Sequence, residues 1–220
     1  MFFKNKNLFF ISTVLVFAFF VSTISKAETN YLKINYGISS HDMGTTTRVG
    51  TITHDDEDEG FILSAGHMVS DFWGVDLMYY DLGASTLSSL DVGDEFKDEY
   101  GYAHQVETAG TISNNTSGYG VGFIVSNNND SSESFSLDAY IKAGAHSWDK
   151  SGSTTILTND TLINGSFFSQ GIGAYGGVGA AINVYDKISI DIAYDVISLS
   201  KDVTFDNSST LISLGLRIKL

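Results

Sequence analysis

Residues 188–196 read Ile188-Ser189-Ile190-Asp191-Ile192-Ala193-Tyr194-Asp195-Val196, with an apolar residue at every second position and a small or acidic one between. Successive side chains of a β-strand point to opposite faces, so this period of two predicts a strand with one apolar and one polar face. The same alternation recurs on both sides. Downstream, Ile212, Leu214, Leu216, Ile218 and Leu220 alternate with Ser213, Gly215, Arg217 and Lys219. Immediately upstream, Ile172, Ala174, Val178, Ala180 and Ile182 oppose Gly171, Gly173, Tyr175, Gly177 and Gly179. Before that, Leu137, Ala139, Ile141 and Ala143 oppose Asp138, Tyr140, Lys142 and Gly144, and Val121, Phe123 and Val125 oppose Gly120, Gly122 and Ser126. Three more segments begin at Leu32, Phe61 and Trp73, which makes eight in all.

The chain has 220 residues, no cysteine, no proline, 22 glycines and a formal charge of −14. Binding to duplex nucleic acid is excluded by that sign, because affinity there comes from Lys and Arg displacing counterions from phosphates. Without cysteine there are no disulfides, thiolate metal sites or cysteine nucleophiles. An apolar fraction of 43% is too high for a disordered acidic tail.

Residues 1–27 read as a cleavable signal peptide. Lys4 and Lys6 precede an apolar run from Leu8 to Val21, and Ser25-Lys26-Ala27 places small residues at the −3 and −1 positions. The apolar run is shorter than the roughly 20 residues of a spanning helix. Cleavage after Ala27 leaves a single domain, residues 28–220, with nine Lys+Arg against 26 acids and a charge of −17. A secreted chain of this size without disulfides points to a bacterial envelope.

Alternation does not say which face is wet. In a soluble sandwich the apolar face forms the core, whereas in an outer-membrane barrel it meets lipid and the polar face lines the lumen. Three features favour the barrel. The polar face is rich in Gly and carries charges of both signs, as a narrow interior requires. Connections alternate in length, with long ones at 40–59, 84–117, 147–166 and 200–209 and short ones at 70–73, 127–134 and 184–187, matching extracellular loops and periplasmic turns. Aromatics such as Tyr31, Phe61, Trp73, Tyr79, Phe135 and Tyr194 lie near segment ends, where interfacial girdles sit. The expected fold is therefore all-β: an eight-stranded antiparallel up-and-down transmembrane β-barrel.

The last residues, with Ser213, Gly215, Ile218 and Leu220 at polar, Gly, apolar and apolar positions, resemble the terminal strand recognised by the bacterial barrel-assembly machinery, although Leu replaces the commoner final Phe or Trp. With Trp73 to Gly83 and Tyr175 to Tyr194, this strand makes the mature chain resemble the small eight-stranded outer-membrane barrels, the OmpA-like transmembrane domain and its OmpX- and OmpW-type relatives. That resemblance implies residence in the bacterial outer membrane as a monomer, contact with lipid and lipopolysaccharide, and assembly by that machinery. The chain ends where the barrel does, so peptidoglycan tethering is not carried over.

An eight-stranded barrel is filled by its own side chains. With the chain starting in the periplasm, Lys33, Asp76, Asp138, Asp191 and Arg217 fall at similar depth and are expected to form one lumen charge network, with Asp191 and Arg217 on adjacent strands. The alternative is separate hydration of each by lumen water.

No catalytic, cofactor-binding or metal-binding residue is assigned. The acid run Asp55 to Glu59 and the acids Asp91, Asp94, Glu95, Asp98, Glu99 and Glu107 lack the spacing of a calcium loop and read as solvated loops. His41, His54 and His104 are placed in loops, His67 on an apolar face and His146 beside Ser147. No G-x-S-x-G or His-Glu-x-x-His accompanies them. Asn114, Asn159 and Asn207 are read as polar loop residues in Asn-x-Ser/Thr triplets. The expected role is structural or surface-interactive, through acidic extracellular loops that meet an unspecified ligand. The alternatives are a narrow porin-like channel for small solutes and, behind that, a lipid-modifying enzyme or protease.

Overall fold

The computed structural model describes residues 30–42, 48–49, 53–90, 92, 95–97, 103–105, 110–127, 136–158, 161–199 and 208–220. Residues 1–27, read above as a signal peptide, Phe135, Asn159, Asn207 and most of the second acidic run lie outside these residues.

Eight long strands form the wall: β1 (Asn30–Asp42), β2 (Glu57–Met68), β3 (Trp73–Leu90), β4 (Gly110–Ser126), β5 (Ser136–Thr158), β6 (Thr161–Tyr185), β7 (Ile188–Ser198) and β8 (Ser208–Lys219). Each pairs antiparallel with its sequence neighbour, and β1 pairs with β8, so the sheet closes on itself. Closure removes the free edges that an open sheet would present to lipid. The stagger follows from the register. From Tyr31, successive partners are Gly66, Asp76, Gly122, Gly144, Tyr175, Ile197 and Ser209, and the next lies back on β1 at His41, ten residues past the start. Eight strands with that shear tilt by about 40° and leave an interior only wide enough for side chains.

The alternation resolves as apolar out and polar in. On β7, Ile188, Ile190, Ile192, Tyr194 and Val196 are exposed on the outside, while Ser189, Asp191, Ala193 and Asp195 are buried inside. The outward face turns polar at Glu59, Asp81, Ser117, Asp149 and Gln170; the last four are consecutive register partners and Glu59 lies two residues from Phe61, the partner of Asp81, which draws the upper limit of the apolar band. Just below it, Phe61, Tyr79 and Tyr119 make a contiguous aromatic row across β2, β3 and β4, with centroids 5.8 and 4.9 Å apart. Trp73, against Phe123, lies toward the opposite end of the band. Tyr31 is not a girdle residue: its even spacing from Lys33 and Asn35 puts it on the lumen face, where it is buried.

The wall is uneven in height. β5 has 23 residues and β6 has 25, against 11 in β7 and 12 in β8. Crossing a bilayer takes about 9–11 tilted residues, so β5 and β6 continue past Asp149 and Gln170 as a paired hairpin up to Thr158↔Thr161. The expected loop at 147–166 is therefore largely strand, and parts of the expected loop at 84–117 are strand as well, with Ala84↔Asn115 to Leu90↔Gly110 paired. Ser, Thr and Gly dominate these stretches and hide their strand character from a hydrophobic-periodicity reading. Thr53–Asp55 adds to the β3 extension, and Arg48–Val49, Glu95–Lys97 and Ala103–Gln105 form a small separate sheet.

One bulge shapes β3. Pairing shifts between Asp81 and Ala84, and Gly83 adopts φ +72°, a conformation in which a Cβ is strained. The Asp81 side chain accepts from Gly83 N–H at 3.0 Å and Asp58 from Ala84 N–H at 2.6 Å. The extra residue changes the inward parity from Tyr80 and Leu82 to Ser85.

Candidate functional site

Where the wall is closed, the interior is where chemistry concentrates. At the short-turn end, the periplasmic side in this architecture, Asp191 is the hub. Its Oδ2 accepts from Arg217 at 2.9 Å. Its Oδ1 accepts from Asn35 Nδ2 at 2.8 Å and from the Tyr140 hydroxyl at 2.8 Å, with Lys33 Nζ at 3.6 Å. Lys33 donates to Tyr140 Oη at 3.0 Å. The Arg217 guanidinium is also sandwiched by rings, 5.1 Å from the Tyr31 centroid and 4.9 Å from that of Tyr140. Desolvated cation–π contacts of this kind are worth up to about 2 kcal/mol each.

Asp76 and Asp138 are attached less directly. Asp76 is fully buried and accepts from the Tyr31 hydroxyl at 3.1 Å, so it joins the hub through the ring that covers Arg217. Asp138 accepts from Asn183 Nδ2 at 2.9 Å and has Lys219 Nζ at 4.0 Å. Lys33, Asp191 and Arg217 thus touch, Asp76 is linked by one intermediary, and Asp138 belongs to a neighbouring cluster nearer the rim.

Higher in the lumen lies an ion pair that strand parity also leads to. Lys142 is four residues beyond Asp138 and Asp195 four beyond Asp191, hence on the same faces one layer up. Their side chains meet at 2.7 Å, both buried. They come from β5 and β7, with Gly177 of β6 between them in register. A Cβ at Gly177 would collide with Asp195 Oδ1 and lie 3.0 Å from Lys142 Cε. The same device serves the aromatics. The Tyr175 ring lies over Gly120, Gly122 and Gly144, and the Trp148 ring over Gly171. The glycine-rich polar face is the floor on which lumen side chains lie.

Above the ion pair the lumen is mainly apolar, although His41, Asn114, Thr116, His146 and Lys150 are buried there too. Ile62, Met78, Tyr80, Leu82, Trp148, Tyr175, Ile197, Leu199 and Leu211 form one buried cluster. Two histidines border it. His146 Nε2 donates to the Ser198 carbonyl at 2.9 Å, which leaves Nδ1 to accept from the Tyr80 hydroxyl at 2.7 Å. His41 is not in a loop but on β1, buried, with Nε2 donating to the Leu82 carbonyl at 3.1 Å and Nδ1 at 3.0 Å from Ser209 Oγ. Ser147 faces outward while His146 faces inward, so the two do not form a pair. His67 is at 2.8 Å from Asn30 Oδ1. Asn114 is likewise a buried strand residue, accepting from Ser85 Oγ at 2.9 Å. Among the described residues no three His, Asp or Glu side chains converge as metal ligands.

Of the terminal-strand residues, Ser213 is buried in the lumen and accepts from Asn35 Nδ2 at 3.2 Å, Ile218 and Leu220 face outward, and Gly215 lies between Asn35 and Asp191 in register.

A closed antiparallel barrel with a continuous outward apolar band and an aromatic row at its limit is a transmembrane barrel of the bacterial outer membrane, and its size places it with the small eight-stranded ones. No protein-family model matches the sequence, and no curated protein sequence matches it. Among solved structures it is similar to Ail, the attachment invasion locus protein of Yersinia pestis (15% identity, 89% of this chain and 100% of that one, TM-score 0.45). It is also similar to the outer membrane protein OprG from Pseudomonas aeruginosa (12%, 90% and 99%, TM-score 0.49) and to the outer membrane protease OmpT from Escherichia coli (12%, 90% and 99%, TM-score 0.41).

Proposed function

We propose that this protein is a non-conducting, non-catalytic outer-membrane barrel that acts at the cell surface, as a structural element of the envelope and as a platform for extracellular contacts. The observation that supports this reading is the filling of the lumen: a buried charge layer, a buried ion pair and an apolar cluster are stacked in series. Ions crossing such a column would have to shed water against Trp148, Leu82 and Leu211, and desolvating a charge without a partner is costly. The wall supplies the outward feature, since β5 and β6 carry their hairpin beyond the apolar band. Lipid and lipopolysaccharide would surround the monomer, and the terminal strand would present Gly215, Ile218 and Leu220 to the assembly machinery.

Planar-bilayer recording tests the lumen: refolded protein gives no conductance steps, and stable openings would favour the channel reading instead. Replacing residues 151–168 by a two-residue turn tests the surface role. The barrel should keep its heat-modifiable gel migration while cell-surface attachment falls. An esterase or protease assay on the refolded chain tests the absence of catalysis.

A further inference from the structure

The seam between β1 and β8 joins the first and last strands of the wall, the one pairing between strands that are not neighbours in sequence. Its lumen face carries only positive charge at one end: Lys33 and Arg217 are direct register partners, and Lys219 follows opposite Tyr31. Like charges placed directly opposite are destabilising, more so out of water. β8 contains no acid, and the only acid of β1 is Asp42 at the far end. Lys219 has Asp138 of β5 at 4.0 Å, but for the facing pair Lys33 and Arg217 the counter-charge comes from β7. Asp191 is the register partner of Gly215, and Gly215 is the partner of Asn35. The Asp191 carboxylate therefore passes over Gly215 to reach β1, where it binds Asn35 at 2.8 Å and Lys33 at 3.6 Å while holding Arg217 at 2.9 Å. A Cβ on Gly215 would collide with the Ile34 carbonyl oxygen and come within 2.6 Å of Asn35 Oδ1, so only glycine lets β1 and the Asp191 contact with Asn35 sit this close.

We propose that Asp191 is an electrostatic latch for barrel closure: reaching across the glycine of the last strand, it staples the penultimate strand to the first and makes a seam of facing cations stable. Closure then depends on β7 being in place, which orders assembly.

The absence of cysteine permits a clean test. Ile34→Cys with Leu216→Cys, outward partners across the seam, reports closure by disulfide formation, and Leu63→Cys with Tyr79→Cys does so for β2–β3. In refolded protein, Asp191→Asn should slow seam cross-linking about tenfold and leave the β2–β3 pair unchanged, because one buried counter-charge serves two cations. Adding Lys33→Met should restore at least half of the loss. Unaltered seam cross-linking, or an equal loss at both pairs, would overturn the latch. Should Asp191→Asn not fold, the double variant carries the test: its folding supports the latch, and its failure refutes it.

Discussion

The two halves of the lumen solve the same packing problem with opposite chemistry. Toward the short turns, Asp191, Arg217, Lys33, Asp195 and Lys142 place paired charges in the interior, while toward the long loops Ile62, Leu82, Trp148, Ile197 and Leu211 fill most of it with apolar side chains, among which His41, His146 and Lys150 are also buried. Buried charges hold only if each keeps its partner, so the lower half is sensitive to single changes and tolerant of paired ones. In the upper half Leu82, Trp148, Ile197 and Leu211 have no charge partner to lose, so the penalty for truncating them follows volume, while the Tyr80–His146 hydrogen bond is a directional contact within the same region. That contrast yields a ranked set of expectations, all read as guanidinium unfolding of refolded protein in one detergent.

The largest single effect is expected at the ion pair: Lys142→Met leaves Asp195 buried without a cation and should cost about 3–5 kcal/mol, while Lys142→Met with Asp195→Leu should recover most of it. A double variant as unstable as the single would end the distinction drawn between the halves. Trp148→Ala should cost about 3–5 kcal/mol as well, but with no rescuing partner, and it is the variant most able to admit ions, so bilayer conductance is measured alongside. Gly177→Ala comes next at about 1–3 kcal/mol, since its methyl occupies the path of the Asp195 carboxylate. Gly83→Ala, at the β3 bulge, should cost about 1 kcal/mol or more from its positive φ and its approach to Asp58. Gly176→Ala marks the bottom of the scale: it faces outward, its methyl would meet only the Lys142 carbonyl at 3.6 Å, and a change within about 0.5 kcal/mol is expected. A large loss there would mean that glycine is needed for its backbone and not for the space above it.

The charged half was legible in the sequence and the apolar half was not. Lys33, Asp76, Asp138, Asp191 and Arg217 stand out because a charge on the odd face of an apolar strand has only the lumen to occupy. Lys142 and Asp195 obey the same parity and could have been added by counting four residues on. Ile62, Leu82, Ile197 and Leu211 give no such signal. An inward apolar residue beside an outward one merely blurs the alternation, and nothing local says which of the two meets lipid. His41 and Asn114 lie in paired strand and not in loops for a related reason: Ser- and Gly-rich strand reads as loop until its pairing is known.

What the sequence determined by itself is the class: eight period-two segments with glycine and charge on one face specify a closed barrel in a membrane, because side-chain alternation is a local property of strands. Only the tertiary structure decided who meets whom. The shear of ten brings Asp191 over Gly215 to Lys33 and places Gly177 between Lys142 and Asp195. Such contacts join strands far apart in the chain, and a register offset of one residue would turn each of those side chains to the other face of the wall.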